Sequence, residues 1–342
     1  MQLKYLEMDN NMTLTKVNSI PQLTIPVEDL GIEEGKTTSD VNFISANTVP
    51  ISLKEIKEEH IIPVFSKSNE KTISHVDFVE TVEYIANQVY SGEQILKPAI
   101  RVSHKISGRH PKAIHKSVKE LQESDITTFY ERAAFVIEIP SIKANIAGND
   151  ISLAIGGVRS YSETNLNSRK NLEAFRIFAG FINKICTNLC ISTDGVLTDV
   201  RVGTVSELAK AAYSLFDGFN VYRELDKFNK LPETTINESQ FAQIVGRARL
   251  YQGMPNKDRI DIPAFPLLDS QVNSVVKDYY SDKSFCRDDS GNLSLWNMFN
   301  LLTGSNKSSY IDSFLFRGMG CQQFVAGLNE AIGINKYHWF IN

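Results

Sequence analysis

The chain of 342 residues is 42% hydrophobic and 10% aromatic at a formal net charge of −4, which excludes a disordered or fibrous polymer and leaves a globular protein of one large or two ordinary domains. No apolar run approaches the ~20 residues of a membrane span, and the N-terminal MQLKYLEMDNNMTLTK lacks the apolar stretch of a secretory signal. Four cysteines (Cys186, Cys190, Cys286 and Cys321) are too few for a disulfide framework, so the expectation is a cytoplasmic protein with reduced thiols.

Charge is spread unevenly. Residues 1–60 hold ten acids against five Lys/Arg, whereas 97–119 hold seven Lys/Arg and no acid. Pro21, Pro26, Pro50, Pro63, Gly31 and Gly35 punctuate residues 1–70 without a sustained hydrophobic period, which predicts an acidic arm or irregular segment. SHVD at 74–77 matches a capping box, and Val76, Val79, Val82, Ile85 and Val89 follow at helical spacing. PAIRVSHKI, 98–106, alternates like a strand, and Pro111 is placed to open a short helix through Leu121. Two alternating runs, 132–146 and 151–161, flank Gly148-Asn149-Asp150 and predict a hairpin.

LEAFRIFAGFINKICTNLCIST fits either period. Leu172, Phe175, Ala179, Ile182, Cys186 and Leu189 make a helix face, while Phe175, Ile177, Ala179 and Phe181 make a strand face. Aromatic and β-branched residues dominate and Gly180 interrupts, so strands are preferred. TVSE at 204–207 is a second capping box, with helical spacing to about Phe228. Further helices are expected over 237–252, 268–280, 293–302 and 308–332. The predicted fold is α+β: a mixed N-terminal half with antiparallel β-hairpins and a mostly helical C-terminal half. An α+β region over 71–203 and a helical region over 204–342 are expected to pack on one core.

Several chemistries lack their signature. LLTGSNKSSY places Asn306 where a phosphate loop needs a glycine before Lys307, and it follows an expected helix instead of a strand. IGGVRS has no Gly-x-Gly-x-x-Gly. Cys186 and Cys190 lie four apart without a second Cys or His pair, and the neighbours of His104, His110 and His115 are cations, so no metal site or cofactor is expected. Glu138, Asp194, Asp269, Asp278 and Asp312 stand singly, as caps do. No nucleophile elbow is present, and Ser274-x-x-Lys277 sits beside Val275 and Val276 as an ordinary amphipathic turn.

The acid-free stretch is the strongest functional signal. Lys105, Arg109, Lys112 and Lys116 recur every three or four residues around His110 and His115. On a helix, Lys112, Lys116 and Lys119 would form a like-charge row that an anion must compensate. Arg159, Arg169, Lys170, Arg247, Arg249 and Lys307 lie in similar polar settings beside Tyr161, Tyr251 and Tyr310. Cations interleaved with tyrosines suit a groove that tracks a phosphate backbone and stacks bases.

The order KISGRHP, FVIEIP, IGGVRSY, TNLNSRKNLEAFRIFAGFINKICTNLC, QFAQIVGRARLYQ and LWNMFNLLTGSNKSSYIDSFLFR resembles an uncharacterised family of Bacteroidota genomes, often near mobile elements and prophages. The match covers roughly 95–342. The CTN and LWNMFNLLT stretches are similar, more weakly, to a broader group of phage- and plasmid-borne proteins of unknown function. The resemblance implies a mobile-element setting and brings no activity, cofactor or catalytic residue. The expectation is a nucleic-acid-binding protein, acting on single-stranded DNA in recombination or replication, without membrane contact, as a homo-oligomer or with a protein partner. The alternatives are a protein-interaction factor, such as an inhibitor of host defence, and a metal-dependent nuclease.

Overall fold

The computed structural model describes residues 41–63, 72–163 and 172–342, all within the unit Lys36–Asn342. Strand β1 (Val49–Ile51) and helix α1 (Leu53–Glu59) come first, in a stretch read from sequence as arm or irregular segment. Helix α2 (His75–Val89) starts where SHVD places it: Ser74 and Asp77 exchange side-chain-to-backbone hydrogen bonds, closing the capping box. Strands β2 (Ala99–Val102), β3 (Lys105–Arg109), β4 (Ile126–Tyr130), β5 (Arg132–Ile146), β6 (Asn149–Ser160), β7 (Glu173–Asn183), β8 (Leu189–Cys190) and β9 (Val196–Val202) follow. The remainder is α3 (Val205–Gly218), α4 (Val221–Asn229), β10 (Thr235–Ile236), α5 (Glu238–Gly253), α6 (Asp269–Ser281), β11 (Leu293–Ser294), α7 (Leu295–Asn306) and α8 (Ile311–Gly333). The protein is α+β, with an antiparallel sheet in its N-terminal half and helices in its C-terminal half. Among the described residues, no helix is long and apolar enough to cross a membrane.

The main sheet runs β1-β2-β5-β6-β7-β8, with β9 also paired to β7, and every pairing is antiparallel. Its central strands are buried on both faces. Phe135, Ile137 and Ile139 of β5 and Phe175, Ile177 and Phe181 of β7 join Phe78, Val79 and Val82 of α2 in one cluster. The alternate residues Ala134, Val136, Phe178 and Ile182 join Ile311, Phe314, Leu315 and Met319 of α8 in another. Each such fully buried large side chain contributes about 1.5–3 kcal/mol relative to exposure. Double-sided burial also explains why 172–192 fits two periods: a strand covered on both faces reads as a nearly continuous apolar run.

Local chemistry sets the turns. The β5–β6 hairpin closes through Ala147 and Gly148, with φ of 49° and 81°, the left-handed pair of a type I′ turn. The register slips between Ile139 and Lys143, where Pro140 has no N–H to donate. At Gly157, an added Cβ would lie 2.3 Å from Phe78 Cζ, so glycine is what lets α2 sit on the sheet.

Three elements differ from expectation. The strand predicted over 98–106 breaks at Ser103-His104, and β3 leaves the main sheet to pair with β4. The helix predicted from Pro111 to Leu121 is instead two single 3₁₀ turns, Pro111–Ala113 and Val118–Glu120. Glu120 turns back to cap the Ser117 N–H at 2.8 Å, and its removal of one backbone donor favours a turn over a helix carrying a like-charge row. The helix predicted from 204 to 228 breaks at Phe219-Asn220, where Asn220 accepts from the Arg223 N–H at 3.0 Å and starts α4. Thr204 caps α3 as expected, but Glu207 accepts from the Gly203 N–H, one residue before the box position.

Candidate functional site

The acid-free stretch supplies β2 to the main sheet and β3 to a two-stranded ribbon. β3 and β4 pair from Lys105↔Tyr130 to Arg109↔Ile126, and the loop 110–125 caps their far end, closed by the His110 N–H donating to Asp125 O at 2.8 Å. Gly108 fits the ribbon against Pro63, whose Cβ would lie 2.5 Å from a Cβ added there.

The ribbon's root rests on a buried aromatic cluster. His60 Nδ1 accepts from the Tyr130 N–H at 3.1 Å, which places its proton on Nε2, 3.2 Å from Tyr161 Oη. His75 Nε2–H donates to Tyr130 O at 2.9 Å, leaving a buried Nδ1 without a hydrogen-bond partner among the described residues. Beneath these rings Arg159 is paired with Glu173, donates to Ile73 O, and lies 4.4 Å from the ring centroids of both Tyr161 and Phe175. Burial, and then the Arg159 charge, pull His60 down to about 4. The same causes, in the same order, hold His75 well below the usual imidazole range. Both histidines are therefore neutral at pH 7.

The structure sorts the sequence-predicted cations into two groups. On the ribbon, Lys105 pairs with Glu59 at 2.6 Å and Lys116 with Asp125 at 2.7 Å. Arg109, Lys112 and Lys119 have no carboxylate partner among the described residues; Arg109 gives one Nη to Lys116 O at 3.1 Å, and Lys112 and Lys119 are exposed. His110 Nδ1 accepts from the Lys112 N–H, and His104 and His115 are exposed. Away from the ribbon the cations are committed to protein groups. Arg159 is 2% exposed, Arg249 pairs with Asp269 at 3.1 Å, and Arg247 donates to the carbonyls of Trp339 and Asn342. Lys307 donates to Cys186 O and Thr187 Oγ1, and burial lowers its basicity. Arg169 and Lys170 lie outside the described residues.

Arg159, Arg247 and Lys307 each satisfy a buried or structural acceptor and so do not line an open groove, whereas Arg249 is exposed in a surface pair with Asp269. Tyr161 is 2% exposed and Tyr251 is half-buried against Phe340 and Arg259, so neither presents an open face. Tyr310, 62% exposed, does.

GSNKSS, the stretch that superficially suggests a phosphate loop, links α7 to α8 inside a buried polar network. Gln271 Nε2 donates to Ser305 O, Ser308 Oγ and Ser309 Oγ, and Asn306 Nδ2 donates to Phe314 O. A second network joins the TNLC turn to α7: Asn183 Nδ2 donates to Asn300 Oδ1 at 3.1 Å, Asn188 Nδ2 to Asn300 O at 2.8 Å, and Asn300 Nδ2 to Trp296 O at 2.9 Å. These polar residues hold helices to sheet. Asn300→Ala strands Asn183 Nδ2 and is expected to destabilise the protein by about 2 kcal/mol, read as a lower urea midpoint at unchanged m-value.

Four of the five scattered carboxylates are also engaged, Asp269 with Arg249 as above. Glu138 accepts from Ser152 and Lys184, Asp194 from Arg223 and Lys227, and Asp312 from Arg132. Among the described residues no three His, Cys, Asp or Glu side chains gather closely enough to hold a metal ion.

Residues 27–341 match the family model described as "Domain of unknown function, B. Theta Gene description (DUF3871)". No curated protein and no solved structure matches the chain.

Proposed function

The chain belongs to that family of unknown function, and from that premise we propose that it binds nucleic acid through the β3–β4 ribbon and its 110–125 loop. One observation carries the reading: β3 and the loop after it hold Arg109, Lys112 and Lys119 without carboxylate partners among the described residues, with His104 and His115 exposed beside them. A two-stranded ribbon fits the major groove of a duplex, and free Lys and Arg side chains contact phosphates whatever the sequence. Stacking contributes less than the sequence suggests, since only Tyr310 of the three tyrosines is openly exposed. The proposal is thus phosphate contact, with no reaction and no cofactor assigned. A cytoplasmic, mobile-element setting belongs to the same proposal.

The test is a mobility shift on single- and double-stranded DNA and RNA at two salt concentrations, with and without magnesium. Each phosphate contact adds about 0.9 to the log–log salt slope on duplex DNA, so Arg109→Ala/Lys112→Ala/Lys119→Ala should flatten that slope by roughly 3. A salt-independent shift, or a triple variant that binds like the parent, would defeat the proposal. Capture of a protein by the ribbon, insensitive to nuclease and lost in the same variant, would favour the interaction-factor reading instead. Magnesium-dependent cleavage would favour the nuclease reading.

A further inference from the structure

A cavity of about 490 Å³ opens between α8 and the linker 263–266, a volume within the range of small-molecule sites. Its apolar wall is Phe316, Phe324 and Pro266, and its polar groups include Arg317, Gln323 and Asp312. The wall is formed by one side of α8, where residues 312, 313, 316, 317, 320, 323 and 324 recur at helical spacing. Gly320 seats the linker, since a Cβ there would stand 2.9 Å from Pro266 Cβ.

Arg317 differs in its partners from the arginines around it. Arg132, Arg176 and Arg249 each pair with a carboxylate. Arg317 donates through Nη1 to two neutral acceptors, Gln271 Oε1 at 3.2 Å and Ser309 Oγ at 2.9 Å, and no carboxylate pairs with it among the described residues. The one acid in the cavity, Asp312, already accepts from Arg132 Nε at 2.6 Å. The cavity therefore carries an uncompensated guanidinium next to flat apolar surface. Phe316 remains 46% exposed, although Arg176 sits 4.9 Å from its ring centroid.

We propose that this cavity binds a small anion bearing a flat ring, an organic phosphate or carboxylate, with the anionic group on Arg317 and the ring against Phe316 and Pro266. A guanidinium recognises both oxyanions through paired N–H groups, and the ring replaces water on the aromatic wall. The site is separate from the ribbon.

The test is calorimetric titration of the full chain with adenosine monophosphate and with phenylacetate, alongside adenosine and inorganic phosphate. One of the two ring-bearing anions should bind, and which one does identifies the source of the anionic group. Adenosine and phosphate alone should bind at least tenfold more weakly. Arg317→Gln should weaken the interaction at least tenfold. Gln323→Glu should do the same by placing a negative charge at the exposed rim, and it leaves the Gln271 and Ser309 contacts of Arg317 in place if Arg317→Gln unfolds. The Arg109→Ala/Lys112→Ala/Lys119→Ala variant should bind the anion unchanged. Failure of both anions to bind, equal binding of adenosine, or affinity that survives Gln323→Glu would overturn the proposal.

Discussion

Arg159→Met is expected to destabilise the protein by about 3–5 kcal/mol, because it leaves Glu173 buried without its cation. The guanidinium is 1% exposed in its side chain and the carboxylate 10%. Glu173 also accepts from the Ile73 N–H at 2.9 Å, while Arg159 donates to Ile73 O, so the pair fastens residue 73, just before α2, to the end of β6 and the start of β7. Burial pushes the Glu173 carboxyl up and the Arg159 guanidinium down, in each case as the largest cause. Desolvation thus outweighs attraction on both sides. Arg159→Met/Glu173→Leu should accordingly recover part of the loss, since an apolar pair of similar volume removes both desolvation penalties but leaves the Ile73 N–H and O without their partners. Urea unfolding of the parent, the single and the double variant checks this. A double variant no more stable than the single would show that the pair is held by attraction, contrary to this account.

What was legible in the sequence was local. The Ser74 capping box, the β5–β6 hairpin and the helix starts at Thr204, Asn237 and Ser294 depend on residues three or four apart, and the chain forms them there. The preference for strands over 172–192 was right for a compositional reason, β-branched and aromatic content, although the period was blurred by burial on both faces. Partnership was not legible. Nothing near Arg159 in sequence says that it meets Glu173 across two strands, or that Lys307 reaches the carbonyl of Cys186, 121 positions away. A cation in a polar, tyrosine-bearing stretch reads the same whether it faces a phosphate or a buried acceptor. The acid-free ribbon was visible because an absence of neighbouring acids is itself local, yet Glu59 and Asp125 still pair with two of its lysines. His60 and His75 carry no signal of this role: His60 lies in no motif, His75 only fills the second place of the SHVD capping box, and their role comes from Tyr130 and Tyr161 brought in from 55 or more positions away.

Those two histidines set the second large effect, a loss of stability between pH 6.5 and 4.5. Both are held below the unfolded value of about 6.5: His60 at about 4, and His75 well below its usual value. A depressed folded-state value means that the unfolded chain takes up the proton first. The contribution is whole above pH 6.5 and is lost as the pH falls toward the folded-state value. By pH 4.5 the loss from His60 alone is roughly 2–3 kcal/mol, and His75 adds to it in the same direction. The paired carboxylates Asp125 and Asp194 titrate lower, held down chiefly by Lys116 and Lys227, so they add their losses below this window. Glu83 and Glu173, pushed up by burial, gain on acidification and offset part of the fall. The separating measurement is the slope of unfolding free energy against pH. His60→Asn keeps an acceptor for the Tyr130 N–H but cannot take a proton, and it should remove close to one proton of uptake, about 1.4 kcal/mol per pH unit in the steepest part. Its overall stability falls too, because the contact with Tyr161 Oη is lost, but that offset is the same at every pH and leaves the slope as the readout. An unchanged slope in His60→Asn would mean that the ring is already protonated in the folded protein beside Arg159, against the burial that strips both groups of water.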